Sequence, residues 1–332
     1  MRRTSLAALV CLTASACLTA PPRPRFPGAD FAIPRSIRVQ VVELGAPKIR
    51  DVGLEEYVQA TVLSEFAPPA GDPSIVGRML EVQAVISRTY AAAHVSRHAR
   101  EGFDLCATTH CQLFDPARLQ TSRWAESAAL AVDRTAGVVL RFRGVAAQAL
   151  FHADCGGRTS TASAVWGGDD REYLLAHADD GIPDDTHARW EYRIEIDSLG
   201  RALDADARTR ARGDVNRIEI VRRDASGRAQ DISIERVNAG ARKAAARIER
   251  TTIHGDDLRQ VLSRTFGPRA IRSTLLDVRR DGRSFVFSGR GFGHGVGLCQ
   301  AGALARIRRG ASLQDVISFY YPGTSMVLVS SR

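Results

Sequence analysis

The residues best suited to chemistry include a glycine-rich stretch late in the chain. Glycine occupies every second position from Gly289 to Gly297, with His294 among them and Gln300 soon after. Residues two apart share one face of an extended segment, so the pattern predicts a face of bare backbone against which a bulky ligand can lie. The spacing is neither GxGxxG nor a P-loop, which argues against a nucleotide site. A flexible loop around a packed histidine is the alternative.

A second polar stretch is also centred on glycine and runs from Phe151 to Thr159. It follows a predicted strand, Val145–His152, and strand-ending loops of this composition often carry binding sites. For its histidine, as for the one in the first stretch, a structural role and a functional role are about equally expected. The residues that could bind a ligand here are His152, Gly156, Gly157, Arg158 and Thr159.

A cluster of soft metal ligands lies between these motifs and the N-terminus. Cys106, His110 and Cys111 offer three ligands, and His98 or His94 on the preceding helix could supply a fourth. Thiolate and imidazole ligands in a tetrahedral set suit a structural zinc. A Cys106–Cys111 disulfide is the competing prediction if the compartment is oxidising.

Helices are predicted to position the remaining candidates. The segment Leu54–Phe66 has helical content and stops before two prolines, which places Glu65 in its last turn. A carboxylate there opposes the helix dipole, so its position suggests a use. A second helix, Ser74–His98, has an apolar stripe spaced by three or four.

The rest of the pattern alternates helices with short strands and predicts an α+β fold: a helical N-terminal half and β-hairpins around a glycine-lined groove, with a β-rich inserted subdomain. The predicted core has a first part at 36–189 and a second part at 286–332, and the inserted, substrate-shaping subdomain spans 190–285. This block is rich in arginine and has no cluster of catalytic residue types.

The first residues are typical of an export signal. A basic start, a short apolar run and the small residues before Cys17 predict a signal peptide at 1–17, and the cysteine is a lipidation candidate in a lipobox, with plain cleavage as the alternative. A Pro-rich segment at 18–35 is predicted to be an extended tether. The mature protein is then expected in the periplasm or cell envelope, touching the membrane only through its N-terminal lipid.

Length and charge narrow the range of partners. The 332 residues carry a formal net charge of +9, and a basic surface favours anionic polymers such as glycans or nucleic acid. Export argues against nucleic acid.

Taken together, the motifs resemble those of the stage II sporulation protein D (SpoIID/LytB) family. The order of the blocks carries the resemblance, and they are spread over most of the predicted mature chain. They are Glu65 at its helix end, Gln83–Tyr90, Cys106–Gln112, Phe151–Thr159, Gly289–Ala303 and Tyr320–Thr324.

The resemblance implies a lytic transglycosylase that cleaves peptidoglycan glycan strands with one glutamate, here Glu65, as acid and base. No cofactor is implied for the chemistry, although some members carry a zinc at the cysteine block. The family's Gln, Arg, Thr and Tyr correspond to Gln83, Arg88, Thr89 and Tyr90, which are expected, with the two glycine-centred stretches and Gln300, to bind substrate.

The sequence departs from the family pattern at three positions. Glu81 stands where lysine is common, which could alter the charge around the groove. Cys155 and Cys299 stand where serine is usual, and a disulfide between them is the preferred prediction because the two blocks should meet at the groove.

Two other functions stay open. One is an amidase or peptidase that uses Cys155 or Cys299 with His152 or His294, since a thiolate beside a histidine is a nucleophile. The other is a non-catalytic module that binds cell wall and stimulates an amidase partner.

Overall fold

The computed structural model describes residues 26–180, 187–238 and 247–331. Helices and strands are mixed along this part of the chain, which confirms the predicted α+β class. Its helices are α1 (Leu54–Glu65), α2 (Pro73–Ala93), α3 (Arg118–Thr121), α4 (Ala125–Arg134), α5 (Ala162–Trp166), α6 (Ile196–Asp204), α7 (Gly255–Phe266), α8 (Gln300–Arg308) and α9 (Leu313–Tyr320). Its strands are β1 (Gly28–Ile33), β2 (Ser36–Glu43), β3 (Ala46–Gly53), β4 (Leu105–Cys106), β5 (Val138–Phe142), β6 (Val145–Ala146), β7 (Phe151–His152), β8 (Arg189–Glu195), β9 (Asp214–Arg223), β10 (Ala229–Asn238), β11 (Arg247–His254), β12 (Leu276–Asp281), β13 (Ser284–Arg290), β14 (Leu298–Cys299) and β15 (Ser325–Ser331).

Helix α2 is the central element of one hydrophobic core. Asp72 caps it by accepting a hydrogen bond from the Ser74 amide, and Pro73 occupies the first turn, where no amide donor is needed. From Val82 to Ala91 every side chain is buried, as expected for a helix enclosed by other elements. The helix ends at Ala93, earlier than the predicted His98.

This first core takes its side chains from Ile33 to Leu174 and from Val296 to Val329. Strands β2 and β3 form an antiparallel hairpin, to which β4 adds in parallel. A second sheet has the order β1-β15-β5-β6. Its β1 corrects the predicted tether, because Gly28–Ile33 pairs in parallel with β15 and is part of the sheet.

A second core is formed by side chains from Trp190 to Phe287. Strands β9, β10 and β11 make one antiparallel sheet, β8, β13 and β12 make another, and α6 and α7 pack with them. These elements occupy the block for which the sequence predicts a β-rich subdomain.

The alternating glycines do not form the extended strand that their spacing suggests. Four of the five, from Gly291 to Gly297, have a positive φ, which l-residues with a side chain rarely adopt. Two are also required by close approach: a Cβ on Gly295 would lie 2.3 Å from Arg228 Nε, and one on Gly297 would lie 2.1 Å from the Leu150 carbonyl oxygen. The stretch is therefore a tightly packed, irregular connection from the second core to the first.

Candidate active site

Glu65 is the last residue of α1, and its carboxyl group is largely buried. Its Oε1 accepts a hydrogen bond from the Leu113 amide at 2.5 Å. Burial raises the pKa of Glu65 to about 7, against the opposing effect of that hydrogen bond. A carboxylic acid with this pKa exchanges a proton near neutral pH, as a general acid or base must.

Two glutamines join Glu65 to the glycine-rich loops. The Gln300 side-chain amide donates to the Glu65 carbonyl oxygen at 3.2 Å and to Gln83 Oε1 at 3.0 Å. Gln300 follows β14 directly, and β14 pairs in parallel with β7, where Cys299 lies opposite His152. The structure thus brings Glu65, Gln83 and Gln300 together, next to the strand pair that carries His152.

His152 and His294 lie beside each other with ring centroids 5.5 Å apart. The Nδ1 of His152 donates to the Val296 carbonyl oxygen at 3.2 Å, and its Nε2 has no hydrogen-bond partner among the residues described. Burial lowers the pKa of both rings, well below the usual value for His152 and to about 4 for His294. Both imidazoles are therefore neutral near pH 7.

Arg88, Thr89 and Tyr90 make contacts inside the fold, and their role in substrate binding stays a prediction. The buried Arg88 guanidinium donates to both carboxylate oxygens of Glu55 and to the Val138 carbonyl. Thr89 Oγ1 donates to Val85 and accepts from the Leu140 amide. The buried Tyr90 ring stacks on His94, with centroids 4.0 Å apart. Their sequence pattern cannot distinguish a buried polar network from a binding face.

The loop after His152 is held by hydrogen bonds from its backbone amides to its own side chains. The Gly156 amide donates to Asp154 Oδ1, and the Gly157 amide donates to Cys155 Sγ. Thr159 is buried and donates to the Leu175 carbonyl oxygen. Arg158 is exposed. Of the predicted ligand-binding residues in this loop, Arg158 has the accessible charged side chain.

Cys155 and Cys299 are neighbours but are free thiols, so the predicted disulfide is not formed in this structure. Each sulfur atom accepts backbone hydrogen bonds instead. Cys299 Sγ accepts from the Cys155 amide at 3.2 Å and from the Gly302 amide at 3.3 Å, which makes it the N-cap of α8. These are contacts that a serine hydroxyl would make, which explains why either residue type fits.

The four predicted metal ligands lie together. The ligand atoms of His98, Cys106, His110 and Cys111 are all within 4.8 Å of one another. Cys111 Sγ is 3.4 Å from His98 Nε2, and Cys106 Sγ is 3.6 Å from His110 Nδ1. Both thiols are free. Two sulfurs and two imidazoles fit a tetrahedral zinc, and His98 Nδ1 contacts Glu101 as metal-binding histidines commonly contact a carboxylate.

This cluster lies on the loop that contacts Glu65. Leu113, the amide donor to the carboxyl group, is two residues beyond Cys111, and the intervening Gln112 accepts a hydrogen bond from the Tyr57 hydroxyl at 3.1 Å.

The other proposed fourth ligand, His94, has its Nδ1 against the Tyr90 carbonyl at 2.8 Å. Glu81, where the family pattern has lysine, forms an ion pair with Arg134.

Several residues near the site were not predicted from the sequence. His187 Nδ1 is 2.6 Å from Asp154 Oδ1, and the buried Arg228 donates to the Cys155 carbonyl oxygen at 2.6 Å. Trp166 donates its indole N–H to Asp256 at 2.9 Å. Arg228 and Asp256 come from the arginine-rich block, where no local pattern separates an inward arginine from the many exposed ones.

The fold and site define an α+β protein in which a helix ending in a buried acid is hydrogen-bonded to Gln300, next to the glycine-rich stretch. Residues 43–142 match the model of the Stage II sporulation protein family (SpoIID), and residues 182–297 match a domain of unknown function, DUF8618. The match and the relatives below confirm the predicted resemblance of the chain to the SpoIID/LytB family.

Three similar proteins show how far the likeness extends. An uncharacterised protein of Brachyspira hyodysenteriae is 26% identical over 84% of this chain and 68% of its own length. The amidase enhancer of Bacillus subtilis is 26% identical over 74% of this chain but only 37% of its own length. Stage II sporulation protein D of Bacillus subtilis is 24% identical over 92% of this chain and 83% of its own length.

Proposed function

We propose that this protein is an exported lytic transglycosylase that cleaves the MurNAc–GlcNAc strand of peptidoglycan. The observation that carries the proposal is the Glu65 carboxyl group, which is largely buried and has a pKa raised to about 7, in a residue whose backbone carbonyl oxygen accepts a hydrogen bond from Gln300. Burial of this kind keeps a carboxylic acid protonated close to neutral pH.

One carboxyl group is enough if the substrate supplies its own nucleophile. Protonated Glu65 gives its proton to the glycosidic oxygen as the bond between that oxygen and the muramyl C1 breaks. The muramyl 6-hydroxyl oxygen bonds to C1, and its proton passes to the Glu65 carboxylate, so no water is consumed. Because the hydroxyl is already tethered to the reacting sugar, its effective concentration is high. Hydrolytic glycosidases instead use two carboxyl groups.

A non-catalytic amidase enhancer is the second candidate, and one relative bears that name. Such a protein would bind cell wall without releasing anhydro-sugars. A cysteine amidase is disfavoured because Cys155 and Cys299 are fully buried, and burial holds the pKa of Cys299 well above the usual value.

The decisive experiment incubates the purified protein with intact and with peptide-stripped peptidoglycan and identifies the products by mass. We expect 1,6-anhydro-muramyl ends from the wild type and none from Glu65→Gln. Glu56→Gln is the matched control, since Glu56 is an exposed residue of the same helix. Freed peptides, or stimulation of an added amidase with no anhydro product, would favour the alternatives.

A structural zinc held by His98, Cys106, His110 and Cys111 is part of the proposal. Bound there, the ion would supply a cross-link within the loop that leads to Leu113. Elemental analysis of purified protein should find about one zinc per chain, lost in Cys106→Ser and retained in Cys155→Ser. A zinc-free protein with a Cys106–Cys111 disulfide would refute the zinc site.

Export and lipid anchoring are also proposed. Residues 1–17, including Cys17, lie outside the described residues, so this rests on the sequence of the signal. Among the described residues no helix is long and apolar enough to cross a membrane. We expect a lipidated N-terminal peptide by mass spectrometry and its loss in Cys17→Ser; an unmodified Cys17 in envelope-purified protein would exclude the anchor.

A further inference from the structure

Trp166 is a large aromatic side chain that lies beside His294 and is partly exposed to solvent. It ends α5 and is 40% exposed. Its ring centroid lies 5.0 Å from that of His294, at an interplanar angle of 55°. Leaving an indole open to water forgoes the hydrophobic stabilisation that burial would give.

The exposed ring is nevertheless fixed in place. Its indole N–H donates to Asp256 Oδ2 at 2.9 Å, and Asp256 is itself buried and paired with Arg259 at 2.6 Å. The helix that carries the ring is held as well. Thr161 caps it through the Ala164 amide, and Asp170 accepts from both the amide and the hydroxyl of Ser163.

The indole N–H is already hydrogen-bonded and part of the ring is exposed to solvent, so the side chain is preorganised to contact a ligand. Because the side chain is already ordered, less conformational entropy is lost when a ligand packs on it. The apolar C–H face of a pyranose ring suits an aromatic surface, while the sugar hydroxyls remain free for polar neighbours.

Trp166 also lies on a line of contacts that leads to the acid. From Trp166 the line passes to His294, then to His152 at 5.5 Å, and through the β7–β14 pair to Gln300, which donates to the backbone carbonyl oxygen of Glu65.

We propose that Trp166 forms a remote subsite that stacks a sugar ring of the glycan strand, with Asp256 as the residue that positions the indole. The inference rests on the proposed function, because it takes the ligand to be a peptidoglycan glycan. It assigns the second core a role in substrate binding, since Asp256 belongs to the first turn of α7.

The test uses the tetramer of N-acetylglucosamine as the probe with the full-length protein. Tryptophan fluorescence should change saturably in the wild type and in Trp124→Phe, which removes a tryptophan on α4 instead. The change should vanish in Trp166→Ala. Calorimetry should show binding weakened by about tenfold in that variant, equivalent to about 1.4 kcal/mol. Unchanged affinity of Trp166→Ala, or no binding by the wild type, would overturn the proposal.

Asp256 variants separate positioning from folding. Asp256→Asn keeps an oxygen that can accept from the indole N–H, so it should bind the tetramer nearly as the wild type does, whereas Asp256→Ala should bind more weakly. Equal affinity of the two variants would contradict the positioning role.

The two proposals fail differently. If the proposed transglycosylase reaction is wrong, the wild type releases no anhydro ends but still binds the tetramer through Trp166. If the subsite is wrong, anhydro ends form and the Trp166→Ala variant binds as the wild type does.

Discussion

At the scale of single residues, the ionisation of Glu65 sets the pH range of the proposed reaction. Its pKa of about 7 leaves the carboxyl group protonated below that pH. The rate of glycan cleavage should therefore fall about tenfold per pH unit above pH 7, as the acid form is lost. Initial rates of anhydro-sugar release across pH 5 to 9 would measure this. A rate that stays level to pH 9 would count against Glu65 as the acid.

The same pKa makes a prediction about stability. The folded state holds the Glu65 proton more tightly than the unfolded chain does, so this residue destabilises the fold as pH rises from 4.5 through about 7. Glu65→Gln removes that effect. Its free energy of unfolding relative to wild type should therefore increase by up to about 3 kcal/mol between pH 4.5 and pH 8.

Urea denaturation at the two pH values measures that difference. Glu56→Gln, on the exposed side of the same helix, should show almost no pH-dependent difference from wild type. A similar gain in both variants would show that the effect does not come from burial of Glu65.

The sequence located single residues with uneven success. The four candidate metal ligands, His98, Cys106, His110 and Cys111, lie together in the structure, because close spacing in the sequence already restricts where they can be. The role of Arg88 could not be predicted, since nothing local to an arginine reveals a carboxylate on another helix.

At the scale of elements, the Glu55–Arg88 pair ties α1 to α2. Glu55 is partly exposed, but the Arg88 guanidinium it holds is fully buried. Glu55→Ala would leave that buried cation without its carboxylate and should cost about 2 kcal/mol of stability. Chemical denaturation would measure the loss, and the exposed Glu56→Ala should change little. Equal stabilities of the two variants would contradict the structural role of Arg88.

The N-cap of α8 gives a second prediction at this scale. Cys299 Sγ accepts the Gly302 amide, and a serine hydroxyl can accept the same bond. Cys299→Ser should therefore retain the stability of the wild type, whereas Cys299→Ala should lose about 1 kcal/mol. Thermal unfolding of the two variants measures the difference. Equal losses would show that the sulfur is needed for packing alone.

Elements with local signals were predicted well. The helix predicted at Leu54–Phe66 is α1, which ends one residue earlier, at Glu65. Elements defined by distant partners were missed. Strand β1 exists through its parallel pairing with β15, and the irregular path of the glycine stretch depends on close approach to other loops. Neither the pairing partner of β1 nor the loops that approach the glycines can be recognised from neighbouring residues in the sequence.

At the scale of the whole molecule, polar side chains connect the two cores at the candidate site. Arg228 of the second core donates to the Cys155 carbonyl oxygen and lies against Gly295. Ser160 of the first core donates to Asp224, whose carboxylate also accepts from the Arg228 amide. The loops that carry His152 and His294 are thus fixed from the side of the second core.

Joining the two cores through Arg228 costs stability, because its charged group is desolvated. Its guanidinium is buried, burial lowers its pKa, and its Nε and Nη1 have no hydrogen-bond partner within residues 26–180, 187–238 and 247–331. Replacing a buried charge with an apolar side chain of similar length is often neutral or stabilising. Arg228→Met should therefore be as stable as wild type or gain about 1 kcal/mol.

Activity should respond in the opposite direction. Without the hydrogen bond to the Cys155 carbonyl oxygen, the loops that carry His152 and His294 lose a fixed contact. Small displacements of groups that position the substrate lower the rate of the chemical step. We expect Arg228→Met to release anhydro-sugar about tenfold or more slowly at unchanged stability, while Arg217→Met, at an exposed arginine of β9, keeps its rate. Parallel denaturation and product assays measure both. A variant with full activity would mean that the second core stabilises the site loops without Arg228.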